Sequence, residues 1–147
     1  MDADAIAAMF AEDRREWSAL CAALDAHPDG ALHDPESPSW TARDVYAHLA
    51  RWIDHSTSDL EAALTRRGKI QVLEGSDDEI NARWQAEDSG LSLAEARSKA
   101  QAAFDRRIAA IESVPAGRWN PALDAIAHAD DAHHYRAHHG YIKDALT

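Results

Sequence analysis

Apolar residues recur along this chain at intervals of three and four, which is the period of an amphipathic α-helix, and no stretch alternates as a half-buried strand does. The first apolar stripe consists of Ile6, Phe10, Trp17, Leu20, Cys21 and Leu24. It stops at His27-Pro28-Asp29-Gly30, where Pro and Gly end a helix. The sequence therefore predicts one long helix, followed by a loop rich in Pro and Asp that reaches Trp40.

In a capping box, the side chains of two residues three positions apart each accept a hydrogen bond from the other's backbone N–H. Three pairs further along the chain have this spacing: Thr41 with Asp44, Ser76 with Glu79, and Ser92 with Glu95. Each one predicts the start of a helix. We expect these helices to end, in order, at Gly68, near Asp88 and at Pro115. The segment 69–75 between the first two could be a loop or a short extended piece.

The last helix begins at Asn120-Pro121, an N-cap followed by proline at the first helical position, and the chain can then stay helical to Ala145. Four long helices with short or moderate connections predict an all-α fold, an antiparallel four-helix bundle with a short extra helix. The 147 residues, of which 46% are hydrophobic, are the length and composition of one globular domain. We therefore expect a single domain over residues 1–147.

The net charge of the chain argues against some classes of binding partner. The net charge is −11, from 26 acids against 15 bases, and the bases are scattered rather than gathered in one patch. Such a chain repels nucleic-acid phosphates and anionic membranes. No apolar run approaches the roughly 20 residues that cross a bilayer. The stretch MDADAIAAMF carries acids where a secretory signal carries Lys or Arg, so we expect a cytoplasmic protein.

Five of the nine histidines lie in the last predicted helix, and only His134 and His138 stand four residues apart. At that spacing both rings leave one face of the helix and can share a metal ion. On a helical wheel both fall on a face formed by Leu123, Ile126, Ala127, Ala137, Tyr141, Ile142 and Ala145. Three other histidines fall about 100° or more away and should be solvated: His128, His133 and His139.

Two interpretations of the pair stay open: metal ligands, or core histidines satisfied by carboxylates such as Asp130, one turn earlier. Beside a metal, Asp130 could orient a ring, act as a ligand itself or transfer a proton. A third ligand must come from another helix. The second helix offers His48, which borders its apolar stripe, and His55, which lies farther toward the polar side. This geometry favours His48.

Two segments also resemble a known family. Residues 40–49 read WTARDVYAHL and resemble the "W…D…HL" start of the second helix in the DinB/YfiT-like superfamily; residues 133–142 read HHYRAHHGYI and resemble its closing helix. The resemblance implies a four-helix bundle, often dimeric, with a divalent metal at His48, His134 and His138. The superfamily includes thiol-dependent transferases and a maleylpyruvate isomerase, and its ClbS/DfsB branch need not hold a metal.

Three neutral imidazoles around one ion leave coordination positions open, as catalytic sites do. From the resemblance we expect a metal-dependent enzyme that uses a low-molecular-weight thiol to transfer or detoxify a small electrophile. The alternatives are a metal-dependent hydrolase of a small molecule, a metal that serves stability alone, and metal-free sequestration of a small molecule.

Imidazole ligands accept zinc, nickel, iron or copper; we expect zinc or nickel, with iron as an alternative. Trp52 and Tyr141 lie about one turn beyond His48 and His138 respectively. Each could line a substrate pocket or belong to the core.

Overall fold

The computed structural model describes residues 1–32, 34–35, 37–65 and 68–146. Within these ranges the chain forms six α-helices and one 3-10 turn (Ala116–Arg118), without any strand: α1 Ala3–Ala26, α2 Ala42–Leu64, α3 Asp77–Glu87, α4 Leu93–Glu112, α5 Pro121–Ala127 and α6 Ala132–Leu146. The all-α bundle with a short extra helix, which is α3, is confirmed. Residues 69–75 form a loop. Across the described ranges, no helix combines the length and the apolar character that a membrane span requires.

The helices begin where the local signals predict. Asp44 accepts a hydrogen bond from the backbone N–H of Thr41 at 2.9 Å. Ser76, Ser92 and Asn120 each accept from the backbone N–H three residues further on, at 3.2, 3.1 and 2.9 Å. Each of the latter three bonds satisfies one of the N–H groups that a first helical turn leaves without an intrahelical partner.

The core lies where α2 packs along α4 and α1 packs along α6. The Trp17 ring stacks on Phe104 with centroids 4.8 Å apart and meets Tyr135 edge-on at 5.1 Å. Helices α1, α4 and α6 therefore share one aromatic cluster, and such ring pairs contribute beyond the area they bury. This packing holds α6 against the rest of the bundle.

The last helix corrects the sequence-based prediction, because it is broken at residues 128–131. Arg107 of α4 donates to the carbonyl oxygen of the last residue of α5 at 2.7 Å. Asp13 of α1 accepts from the backbone N–H of the first residue of α6 at 2.9 Å. Arg107 and Asp13 also form a buried ion pair at 2.6 Å. Partners from other helices therefore satisfy one buried backbone group at each of the two helix ends that flank the break.

The break changes which residues of the last segment are buried. Tyr135, absent from the predicted apolar face, is fully buried, and Ala137, which belongs to that face, is exposed. The side chain of Ala145 lies outside the described residues. Of the three histidines predicted to be solvated, His128 and His133 are exposed and His139 is half-buried.

Candidate metal centre

Three histidines from two helices meet at one point. The Nε2 atom of His134 lies 3.2 Å from that of His48 and 3.1 Å from that of His138. The three candidate ligand atoms all lie within 4.8 Å of one another. His55 is not part of this cluster; its Nε2 pairs with the carboxylate of Asp59 at 3.4 Å. The structure thus brings together the three predicted metal ligands and leaves the alternative on α2 apart.

Two of the three separations between the ligand nitrogens are compatible with one ion. Zinc binds imidazole nitrogen at about 2.0–2.1 Å, so two nitrogens at corners of a tetrahedron around it lie about 3.4 Å apart. The two observed separations, 3.2 and 3.1 Å, are within a few tenths of an ångström of that value. An ion bound by all three imidazoles would also need the third pair of ligand nitrogens, which lies within 4.8 Å, at a similar separation.

Carboxylates face the outer nitrogen of two of the rings. Asp130 Oδ1 lies 3.0 Å from His134 Nδ1, and Asp34 Oδ2 lies 3.8 Å from His138 Nδ1. An ionised carboxylate can only accept a hydrogen bond, so Asp130 keeps the proton of a neutral His134 on Nδ1. The lone pair of His134 Nε2 is then directed at the other two rings, as in a metal ligand oriented by a carboxylate.

Burial keeps two of the rings neutral. Burial lowers the pKa of His48 well below its ordinary 6.5, His138 and His134 lower it further, and the Asn81 side chain nearby opposes the shift. Burial, followed by the effect of His134, lowers the pKa of His138 to about 3. Neutral imidazole is the form that binds a metal.

Hydrogen bonds between the rings do not satisfy the whole cluster. The one lone pair of His134 Nε2 faces two ring nitrogens, and it can accept along its axis from only one of them. An ion at the shared point would use all three Nε2 lone pairs at once. This geometry favours the metal interpretation over that of satisfied core histidines.

The backbone that carries Asp130 is held from several sides. The Tyr135 hydroxyl donates to the carbonyl oxygen of Asp130 at 2.7 Å. The buried pair of Asp13 and Arg107 satisfies the helix ends on either side of the break. Sequence reasoning missed this pair, although a signal was present: Asp13 stands between Phe10 and Trp17 at positions of the apolar stripe of α1.

A cavity of about 700 Å³ opens beside the cluster, and all three histidines line it. Trp52 and Tyr141, the two predicted pocket residues, also lie on its wall. Trp52 Nε1 donates to Asn81 Oδ1 at 2.7 Å, which fixes the orientation of the indole. Sequence reasoning missed Asn81 and Asp34 as parts of this site. Asp34 lies in an irregular loop, where no periodic pattern indicates which side chains face inward.

Comparison of the chain with protein-family models, with curated proteins and with solved structures finds no match in any of the three. A small molecule in the cavity can reach the cluster, because the His134 side chain is 23% exposed. Three imidazoles with access for a fourth ligand are typical of catalytic rather than structural zinc sites.

Proposed function

We propose that this protein is a metal-dependent enzyme in which His48, His134 and His138 hold one divalent ion, zinc or nickel, for the transfer of a low-molecular-weight thiol to a small electrophile. The observation that carries the proposal is the convergence of the three Nε2 atoms at the wall of a substrate-sized cavity. Thiol transfer, rather than another reaction, is proposed from the resemblance to the DinB/YfiT-like superfamily.

A bound divalent ion supplies a Lewis acid, which lowers the pKa of a thiol or a water molecule and so provides a nucleophile at neutral pH. The protein contributes orientation. Asp130 holds the His134 ring through Nδ1, and we assign it this positioning role rather than that of a ligand. Trp52 and Tyr141 form part of the wall against which an electrophile would lie.

The proposed transfer forms one bond from the thiol sulfur to the electrophilic carbon. The bond to the leaving group breaks, and its electron pair departs with that group. The thiol proton passes to solvent at the mouth of the cavity. Low-molecular-weight thiols stay reduced in the cytoplasm, which is the compartment we propose for the protein. A homodimer is proposed from the resemblance alone.

Two alternatives use the same cavity. A metal-dependent hydrolase would take water in place of the thiol, and the access from solvent to His134 is compatible with this. A metal-free sequestering protein of the ClbS/DfsB type would use the aromatic wall, to which Trp40 and Trp52 contribute. The convergence of the three histidines at the cavity wall is the reason for preferring a metal-dependent enzyme.

The first experiment is metal analysis of protein purified without an affinity tag, followed by equilibrium dialysis against zinc near neutral pH. We expect one ion per chain in the wild type. His48→Ala should reduce the affinity sharply. His55→Ala is the matched control, because His55 lies on the same helix and lines the same cavity outside the cluster. Absence of bound metal, or wild-type affinity in His48→Ala, would replace this proposal with the sequestering alternative.

The second experiment separates the reactions. Addition of a thiol to cobalt-substituted protein should change the visible absorption, because the thiol becomes a ligand at an open position. A screen of cellular thiols against simple electrophiles should then show turnover that depends on both metal and thiol. Turnover that needs metal but no thiol would identify the hydrolase instead.

A further inference from the structure

The cavity beside the cluster has walls of one charge sign. Of the described residues that line it, none is Lys or Arg, and five are aspartates: Asp34, Asp59, Asp77, Asp78 and Asp130. The chain does place bases beside another cavity. The groove between α2 and α4 is lined by two arginines and one lysine, Arg51, Arg106 and Lys99. The negative net charge of the chain therefore does not by itself explain the acidic lining of this cavity.

Aromatic rings complete the wall. Trp40, Trp52 and Tyr141 all line the cavity. Trp40 meets the His48 ring edge-on with centroids 5.0 Å apart, and Trp52 meets Trp84 in the same way at 4.9 Å. The faces of such rings attract cations. Carboxylates together with aromatic rings form the chemical environment that binds ammonium groups.

Among the described residues that line the cavity, carboxylates remain in excess when the metal centre is filled, since five carboxylates exceed the two positive charges of one divalent ion. Two of the five, Asp34 and Asp130, face rings of the cluster, which are neutral when they bind a metal. A third, Asp59, faces His55. The other two, Asp77 and Asp78, are exposed in the first turn of α3. A cavity walled in this way attracts cations and repels anions over a distance of several ångströms.

We propose that this cavity binds a small organic cation, so that the substrate carries a protonated or quaternary amine held by the carboxylates and the aromatic rings. The inference rests on the function proposed above in taking the cavity as the substrate site. It disfavours substrates with carboxylate or phosphate groups.

The test compares three probes of similar shape: choline, its neutral isostere 3,3-dimethylbutan-1-ol and the anion 3,3-dimethylbutanoate. Binding is followed by tryptophan fluorescence and by calorimetry, on metal-free protein in EDTA and on zinc-loaded protein. Choline should bind about tenfold more tightly than the alcohol, and the anion should bind most weakly. The preference should decrease with added salt. An alcohol or anion that binds as tightly as choline would overturn the proposal.

Paired variants separate the cavity wall from the net charge of the chain. Asp77→Asn combined with Asp78→Asn should reduce the preference for choline about threefold, since both carboxylates are exposed. The control, Asp105→Asn combined with Glu112→Gln, removes two exposed acids of α4 that do not line the cavity. An equal loss in both variants would assign the preference to net charge and overturn the proposal.

The metal-free measurement keeps this test separate from that of the metal centre. Choline preference without any zinc binding would contradict the proposed enzyme and support the cation site. Zinc binding at the three histidines without a preference for choline would support the proposed metal centre and contradict the cation site.

Discussion

The contact between Asp130 and His134 offers the sharpest test of the metal centre. Asp130→Asn keeps the size and shape of the side chain and removes its charge. The amide oxygen can still accept the hydrogen bond from His134 Nδ1 that the carboxylate accepts at 3.0 Å. The fold should therefore be preserved, while the ring loses a partner that makes its Nε2 more basic.

The expected magnitude follows from that bond. A hydrogen bond to a charged group contributes roughly 1.5–3 kcal/mol and a neutral one roughly 1 kcal/mol, so the substitution removes about 0.5–2 kcal/mol. Asp130 is only 7% exposed, so solvent screens this difference little. Because about 1.4 kcal/mol corresponds to tenfold in affinity, zinc binding should weaken about two- to thirtyfold. The upper part of that range overlaps the roughly 10- to 100-fold losses known for outer partners of metal-bound histidines.

The assay is competition for zinc with a chromophoric chelator near neutral pH, with thermal unfolding of the metal-free protein as a check of folding. Asp59→Asn is the matched control. Asp59 faces His55 four residues away, as Asp130 faces His134, and it lines the same cavity. Its loss should change zinc affinity less than about threefold. Equal losses in the two variants, or none in Asp130→Asn, would show that the contact does not support a metal ligand.

Three further predictions concern stability and the outer histidines. Arg107→Met should destabilise the protein by about 3–5 kcal/mol in urea unfolding, because it leaves Asp13 buried without its partner; Arg106→Met, which breaks more exposed ion pairs, should cost less than about 1 kcal/mol. Metal-free protein should lose stability as the pH falls from 6.5 toward 3. The folded state keeps His48 and His138 neutral while the unfolded chain protonates both, and each ring contributes a slope of up to about 1.4 kcal/mol per pH unit, so His138→Gln should remove about half of the total. Zinc content, measured by atomic absorption, should be unchanged when Gln replaces the three histidines outside the cluster, His128, His133 and His139.

The sequence alone determined the features that depend on neighbours within a few residues. The capping residues placed the starts of α2, α3 and α4, because the unpaired groups of a first helical turn are satisfied locally. The His27-Pro28 stop placed the end of α1, whereas α2 ends at Leu64, before the predicted Gly68. The spacing of His134 and His138 put both rings on one face, because four residues are just over one helical turn. The preference for His48 over His55 came from the apolar stripe of α2, and the structure does bring His48, and not His55, to the pair.

Tertiary structure alone decided the features that depend on distant residues. The break before α6 depends on Arg107 and Asp13, which lie 20 and 119 residues from the backbone groups they bond. A helical wheel that assumes one continuous last helix could not show that Tyr135 is buried. Asp34 approaches His138 from an irregular loop that has no period to interpret. A helical period describes one element, whereas the cavity and its acidic wall arise only where several elements pack together.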